Sequence, residues 1–184
     1  MSKLSWKSPK LNIRTVTVSA LLLALQIILG KLSIGDPTVL KVGLGFIGTG
    51  LIGYLLGPWL GGVLLVLEDI VSHTIFSSGS VFFPGFTFSA FFTGVIAGMF
   101  LYQQKITWQR MFIYEFVQIL VSNVIFTTLW LYILSMTSAH HTTFMALLAV
   151  RMPKEIISWP IESLVMFVIL RAVSKIKMDA IKNN

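Results

Sequence analysis

Apolar residues run through this chain almost without interruption between Ile13 and Val173. Of its 184 residues, 55% are hydrophobic and only 11% are charged, and the mean hydropathy is +0.85. A soluble domain of this length would need far more polar surface than this segment supplies. The sequence therefore predicts an integral membrane protein that sits in the lipid bilayer.

The apolar runs predict an all-α bundle of six transmembrane helices, because about 20 apolar residues are needed to cross the hydrocarbon core. We expect the helices at approximately 13–33, 43–57, 60–76, 85–103, 109–134 and 146–172. The second is short and rich in glycine, and Gly57-Pro58 predicts a tight reversal into the third. On the fourth, Ala90, Gly94 and Gly98 recur at the four-residue spacing that lets helices pack closely within a bundle.

The distribution of lysine and arginine predicts the orientation of this bundle. If six spans alternate, ten cations fall on one side of the membrane: Lys3, Lys7, Lys10, Arg14, Lys105, Arg110, Arg171, Lys175, Lys177 and Lys182. The opposite side receives Lys31, Lys41, Arg151 and Lys154. Both termini are therefore predicted to be cytoplasmic, and the net charge of +7 orients the protein instead of binding nucleic acid.

The whole chain, residues 1–184, is expected to form one membrane domain with cytoplasmic tails at 1–12 and 174–184. The first apolar run follows several cations and resembles a secretory signal, but the spans behind it favour a retained helix. The predicted outward connections are about 34–42, 77–85 and 135–145.

The last span begins with an ionisable cluster, which inside a membrane is a functional-site hypothesis. Helical geometry places these side chains on one stripe: Arg151, Lys154, Glu155, Ser158 and Glu162. We assign Arg151, Lys154, Glu155 and the nearby Trp159 to a substrate site. The alternative is that Arg151 and Glu155, four residues apart, only neutralise each other.

The third span carries a second polar stripe with Asp69 and His73, and Glu68 lies beside it. Asp69 could pair with a cation of the last helix, or it could accept two hydrogen bonds from an amino-substituted heterocycle. We place both Asp69 and His73 in the site. On the fifth span, Glu115 is expected to pair with Arg110 or to join helices, not to contact a ligand.

The turn before the fourth helix contributes aromatic residues, of which we assign Phe83 and Phe86 to the site. Phenylalanine at a membrane boundary is often an interfacial or core residue. Here the phenylalanines accompany two cations and two acids. The alternative to an interfacial or core role is therefore that they line a pocket for a flat aromatic molecule that bears carboxylates.

The chain lacks the sequence motifs of several other functions. The chain has no cysteine, and neither G-x-S-x-G, H-E-x-x-H nor a phosphate-binding loop occurs. His140 and His141 are adjacent in a predicted loop and point apart, so with His73 they do not predict a metal site. We expect no enzyme activity, no metal and no cofactor in this chain.

The chain resembles the substrate-binding (S) components of energy-coupling factor (ECF) vitamin transporters, specifically the folate-specific kind. The resemblance rests on the six predicted spans, on Phe83-Pro84-Gly85-Phe86-Thr87 and on Arg151-x-Pro-Lys154-Glu155. It implies folate capture outside a bacterial plasma membrane, with a transmembrane coupling subunit and two ATPase subunits as partners. The spacing of Ala20 and Ala24 matches the pattern with which such components dock onto the coupling subunit.

The sequence also allows two other interpretations of function. An S component for pantothenate, thiamin or riboflavin would share the bundle and the docking face. A cobalt or nickel component is disfavoured because Ser2 stands where that type has histidine. An intramembrane enzyme or channel would need a catalytic constellation or a polar lane across the bilayer, but the polar stripes cluster in the predicted outer half.

Overall fold

The computed structural model describes residues 4–34, 42–75, 83–137 and 143–182. Its helices are α1 (Ile13–Lys31), α2 (Gly45–Ile75), α3 (Pro84–Leu101), α4 (Trp108–Gln118), a π-helix (Ile119–Thr127), α5 (Thr128–Thr137) and α6 (Phe144–Lys182). Two strands of two residues each, β1 (Ser33–Ile34) and β2 (Val42–Gly43), pair antiparallel between α1 and α2. Apart from this short ladder, the described regular structure is helical.

Five helical segments in the described part of the chain are long and apolar enough to cross a membrane: Ile13–Lys31, Gly45–Ile75, Pro84–Leu101, Trp108–Met136 and Phe144–Lys175. The predicted helical membrane class is therefore confirmed. The predicted second and third spans fall within the single segment α2. Much of the predicted tail at 174–184 is helical, because α6 continues to Lys182. The predicted outward connections lie mostly outside the described residues.

The segment α2 bends sharply at Gly57, as the sequence predicts. Gly57 has φ 72° and ψ −173°, a conformation that glycine adopts readily and other residues do not. A Cβ built on Gly61 would lie 3.4 Å from Cγ2 of Ile52. Nine residues span about 13.5 Å of a straight helix. The residues before and after Gly57, which we call the first and second arms of α2, therefore fold back on each other.

The N-terminal segment packs against this bend. The backbone N–H of Ser5 donates to the carbonyl of Met99 at 2.9 Å, and Ser8 Oγ accepts a hydrogen bond from the N–H of Trp59 at 3.1 Å. The Trp59 indole donates to the carbonyl of Trp6. Since Trp59 opens the second arm, Ser8 satisfies a backbone donor that the bend leaves free. Residues 5–8 thus lie beside the end of α3 and the bend.

The helix α3 packs against the bend through glycine. A Cβ on Gly98 would overlap the backbone of Gly57 and Pro58, and a Cβ on Gly94 would lie 2.5 Å from the carbonyl oxygen of Gly61. These helices therefore touch backbone to backbone, which is the close approach predicted from the small-residue spacing.

We expect Gly98→Ala to destabilise the protein strongly, because the new methyl group meets backbone atoms that cannot rotate away. Overpacking of this kind costs about 1–3 kcal/mol or more. Gly43→Ala is the matched control, since a Cβ there would have nothing within 4 Å. Thermal unfolding of the two purified variants tests this difference, and equal melting temperatures would show that α3 does not pack tightly on the bend.

One end of the bundle is filled by a buried apolar cluster in which α2, α3, α4 and α6 meet, with Tyr54, Leu101, Met111, Met166 and Leu170 among its members. The same end receives the N-terminal segment and the loop after α3. The polar residues of the candidate site lie toward the other end.

Candidate ligand-binding cavity

A cavity of about 450 Å³ lies among α1, α2, α3, α4, the π-helix and α6. Five carboxyl side chains line it: Glu68, Asp69, Glu115, Glu155 and Glu162. Lys154 is the one lysine or arginine among the described lining residues. The lining therefore offers many hydrogen-bond acceptors and one cation, and it suits a ligand that presents several N–H donors.

From α6, the cavity receives Lys154 and Glu155, as the sequence stripe predicts. Glu155 is buried, and its Oε2 accepts a hydrogen bond from Nδ2 of Asn123 at 3.0 Å. Arg151 lies one turn earlier and is not among the lining residues. Its buried Nε has no hydrogen-bond partner in the described part of the chain, and no ion pair joins it to Glu155 there. The mutual neutralisation considered for this pair is therefore not seen.

From α2, the cavity receives Glu68 and Asp69. Asp69 Oδ2 accepts a hydrogen bond from the Thr87 hydroxyl, which ties the second arm to the start of α3. His73 Nδ1 lies 2.8 Å from the Asp69 carbonyl oxygen and 3.4 Å from its Oδ1. His73 itself does not line the cavity. Of the two proposed site residues on this helix, the structure brings Asp69 to the cavity and keeps His73 beside it.

The two phenylalanines assigned to the site from the turn before α3 also lie in different places. Phe86 lines the cavity, whereas Phe83 precedes the first turn of α3 and packs on Trp130 with ring centroids 5.7 Å apart. The Trp130 indole donates to Ser89 Oγ at 2.7 Å. Phe83 and Trp130 therefore fix the start of α3, which sets the direction of Phe86.

Trp159 lies away from the cavity. Its ring stacks on Phe112 with centroids 4.1 Å apart, and its Nε1 donates to the Phe112 carbonyl at 2.9 Å. It borders a smaller apolar groove beside the cavity. In this structure Trp159 joins α6 to α4 and does not line the cavity, although Glu155, one turn earlier on α6, borders both the cavity and the groove.

The end of α4 and the π-helix supply three polar lining residues, of which helical spacing puts Gln118 and Ser122 on the face of Glu115 but misses Thr127. Gln118, Ser122 and Thr127 all face the cavity, although nine residues make two and a half turns of an α-helix and would put Gln118 and Thr127 on opposite sides. A π-helix has about 4.4 residues per turn, so nine residues make about two turns. Thr127 Oγ1 donates to the Ser122 carbonyl, five residues back. The spacing of these polar residues by four and then five was the available signal.

The surroundings of Glu115 differ from those expected from the sequence. Arg110 Nη1 donates to the Phe100 carbonyl at 3.1 Å, and both Glu115 oxygens are buried at the cavity without a partner in the described structure. Five residues of helix rotate a side chain by about 140°, so Arg110 and Glu115 face different neighbours. Gln118 Oε1 and Gln26 Oε1 are also buried lining atoms without a described partner.

The described residues contain no group of three or more His, Cys, Asp or Glu side chains arranged to hold a metal ion. His140 and His141 lie outside the described residues.

Known proteins match this chain in sequence and in fold. The family described as "ECF transporter, substrate-specific component" matches residues 14–170. "Folate transporter FolT" of Clostridium novyi (strain NT) is 30% identical over 168 residues, covering 91% of this chain and 94% of the relative. "Folate transporter FolT" of Leuconostoc mesenteroides subsp. mesenteroides is 30% identical over 159 residues, covering 86% and 85%.

A solved structure, "Crystal structure of FolT bound with folic acid", matches with a TM-score of 0.72 at 29% identity. The match covers 85% of this chain and 91% of that chain. Sequence family, relatives and fold thus agree over most of the length. The chain belongs to the family of substrate-specific components of ECF transporters, which are transport subunits and not enzymes.

Proposed function

We propose that this chain binds folate from the outer side of a bacterial plasma membrane and delivers it as the S component of an ATP-driven ECF transporter. The observation that carries this proposal is a cavity rich in acceptors beside Lys154 and Phe86, in a chain whose relatives are named folate transporters. Other vitamins of similar size would need a different set of hydrogen-bonding partners.

The heterocyclic end of folate suits the buried part of this cavity. A pterin ring presents ring N–H and amino donors at one edge, and carboxylates accept such paired donors well. Asp69, Glu155, Glu115 and Gln118 supply the acceptors, and the Glu115 oxygens and Gln118 Oε1 have no partner in the described structure. Phe86 supplies an aromatic face for stacking. We assign these residues to the heterocycle.

The two carboxylates of the glutamate tail would be repelled by the acidic lining, so the tail belongs at the first turns of α6. Lys154 lines the cavity there, and Arg151 lies one turn nearer to the start of the helix. Cations recognise carboxylates by charge-assisted hydrogen bonds. We assign Lys154 and Arg151 to the tail. His73, Phe83 and Trp159 position the helices around the ligand in this assignment.

We further propose six membrane crossings, with the two arms of α2 crossing separately and both termini in the cytoplasm. The fold supports this arrangement, since Ser5 bonds to Met99 near the end of α3 and the buried cluster of α6 packs at the same end. Among the cations whose side chains the structure describes, seven then share one side: Lys7, Lys10, Arg14, Lys105, Arg110, Arg171 and Lys175. A positive cytoplasmic side is the usual orientation.

Single cysteines test this orientation, because the chain contains none. We expect Thr143→Cys to react with an impermeant maleimide on intact cells and Lys105→Cys to react only after permeabilisation. Both side chains are exposed, so accessibility to the reagent is not limited by burial. The reverse pattern would place the cavity on the cytoplasmic side and contradict the proposed direction of capture.

The partners proposed for this chain are a transmembrane coupling subunit and two ATPase subunits, since the chain has no phosphate-binding loop of its own. Ala20 and Ala24 are exposed on α1, which is largely unburied within this chain. Small residues at a helix surface allow close approach of another helix. We assign this face to docking of the coupling subunit.

Equilibrium binding to the purified chain in detergent tests the ligand. We expect folate to bind far more tightly than pantothenate, thiamin or riboflavin, which lack a pterin edge with a glutamate tail. Tighter binding of one of the other three vitamins would assign the chain to a different S component. Binding of none of the four would contradict a vitamin-binding role for this cavity.

A further inference from the structure

The helix α1 is attached to the rest of the bundle by a narrow contact. Only Leu22 and Gln26 of its 19 residues are buried, and its main neighbour is α2. A Cβ on Gly48 would overlap Oε1 of Gln26 and would lie 3.3 Å from the Gln26 Cα. The glycine thus creates the space that the glutamine side chain occupies. Gln26 is therefore held deep between α1 and the first arm of α2.

Gln26 reaches the cavity but is incompletely bonded. Its Nε2 donates to Thr49 Oγ1 over a long 3.4 Å, and its Oε1 is buried without a partner in the described structure. The side chain lines the cavity and is only 7% exposed. A buried amide oxygen without a donor is unfavourable, and a ligand N–H in the cavity would satisfy it.

The opposite face of α1 is the one that carries Ala24. At 100° per residue, Ala24 lies about 160° around the helix from Gln26. A contact made by Gln26 in the cavity therefore acts on the same rigid helix that presents the exposed alanine. Leu22 is the one other buried side chain of α1. One added hydrogen bond is therefore a large fraction of the free energy that holds α1 against the bundle.

We infer that Gln26 contacts the bound vitamin and thereby ties α1 to the occupied cavity, so that occupancy fixes the helix that carries the docking face. This inference rests on the proposed function. The helix α1 is then less mobile when the cavity holds folate than when it does not. Binding of a partner to the less mobile helix costs less conformational entropy. The bundle can thus signal occupancy to its partner without a large rearrangement.

Hydrogen–deuterium exchange of the purified chain with and without folate tests the inference. We expect folate to slow exchange of α1 amides by at least about threefold in the wild-type protein. In Gln26→Met, which keeps the size of the side chain but removes its acceptor, folate should bind about tenfold more weakly. At saturating folate this variant should still protect α3 and α6 but no longer α1.

Leu22→Val is the matched control, since it trims the other buried α1 residue outside the cavity lining. Its α1 should remain protected by folate. Gln26→Asn, which withdraws the amide by one methylene, replaces the methionine variant if that one does not fold. Wild-type protection of α1 in the Gln26 variants, or no protection in a wild-type chain that binds folate, would overturn the inference. A wild-type chain that does not bind folate would instead refute the proposed function.

Discussion

Ala24→Trp should abolish folate uptake by the assembled transporter while leaving folate binding by the isolated subunit unchanged. Ala24 is exposed on a helix that is mostly unburied within the chain. An indole there occupies the space through which a partner helix would approach. The cavity is lined from the other side of α1, so the vitamin site is not disturbed. Ala20→Trp, one turn earlier on the same face, should have the same effect.

Leu25→Trp provides the matched control. Leu25 is also exposed on α1, at 37%, but it lies about 100° around the helix from Ala24. Uptake by this variant should stay close to wild type. Radiolabelled folate uptake and co-purification of the coupling subunit measure the two properties. Loss of folate binding together with assembly in Ala24→Trp would show that this face packs inside the bundle.

Lys154→Ala should weaken folate binding by about tenfold, which corresponds to about 1.4 kcal/mol. Lys154 is the one described cation that lines the cavity, and it is proposed to hold a carboxylate of the glutamate tail. A charge-assisted hydrogen bond contributes about 1.5–3 kcal/mol. Because Lys154 is exposed, solvent screening places the expected loss at the lower end.

Pteroic acid, which lacks the glutamate, separates the role of the tail from that of the heterocycle. Lys154→Ala should bind pteroic acid as the wild type does, since the missing charge has no tail to meet. Lys175→Ala is the control, because this exposed lysine lies toward the other end of α6. Isothermal titration of both ligands measures the difference. Equal loss for folate and pteroic acid in Lys154→Ala would contradict the assignment of Lys154 to the tail.

Much of the fold follows from the sequence by simple physics. The apolar runs predict membrane helices because unpaired backbone groups are too costly in lipid, and Gly57-Pro58 predicts the sharp bend. The small residues of α3 predict its close contact with that bend. The helix ends were less predictable. For instance, α6 continues through a charged segment to Lys182, because backbone hydrogen bonding extends a helix beyond its apolar part.

The lining of the candidate cavity was predicted in part. The stripe rule placed Lys154 and Glu155 on the cavity side of α6, because an α-helix keeps a fixed angle per residue. The same rule places Gln118 and Ser122 on one face but misses Thr127, because the chain after Gln118 winds as a π-helix. It also missed Gln26, whose role depends on the space above Gly48 on another helix. Contacts between distant segments of this kind are not encoded in local spacing.

Transport by reconstituted liposomes tests the central claim most directly. The purified chain alone is predicted to bind folate without accumulating it, even with a proton or sodium gradient across the membrane, because it has no phosphate-binding loop. Accumulation should appear only when the coupling subunit and both ATPases are present with ATP on the cytoplasmic side. Uptake against a folate gradient by the chain alone would contradict the account and make the protein a self-sufficient secondary transporter.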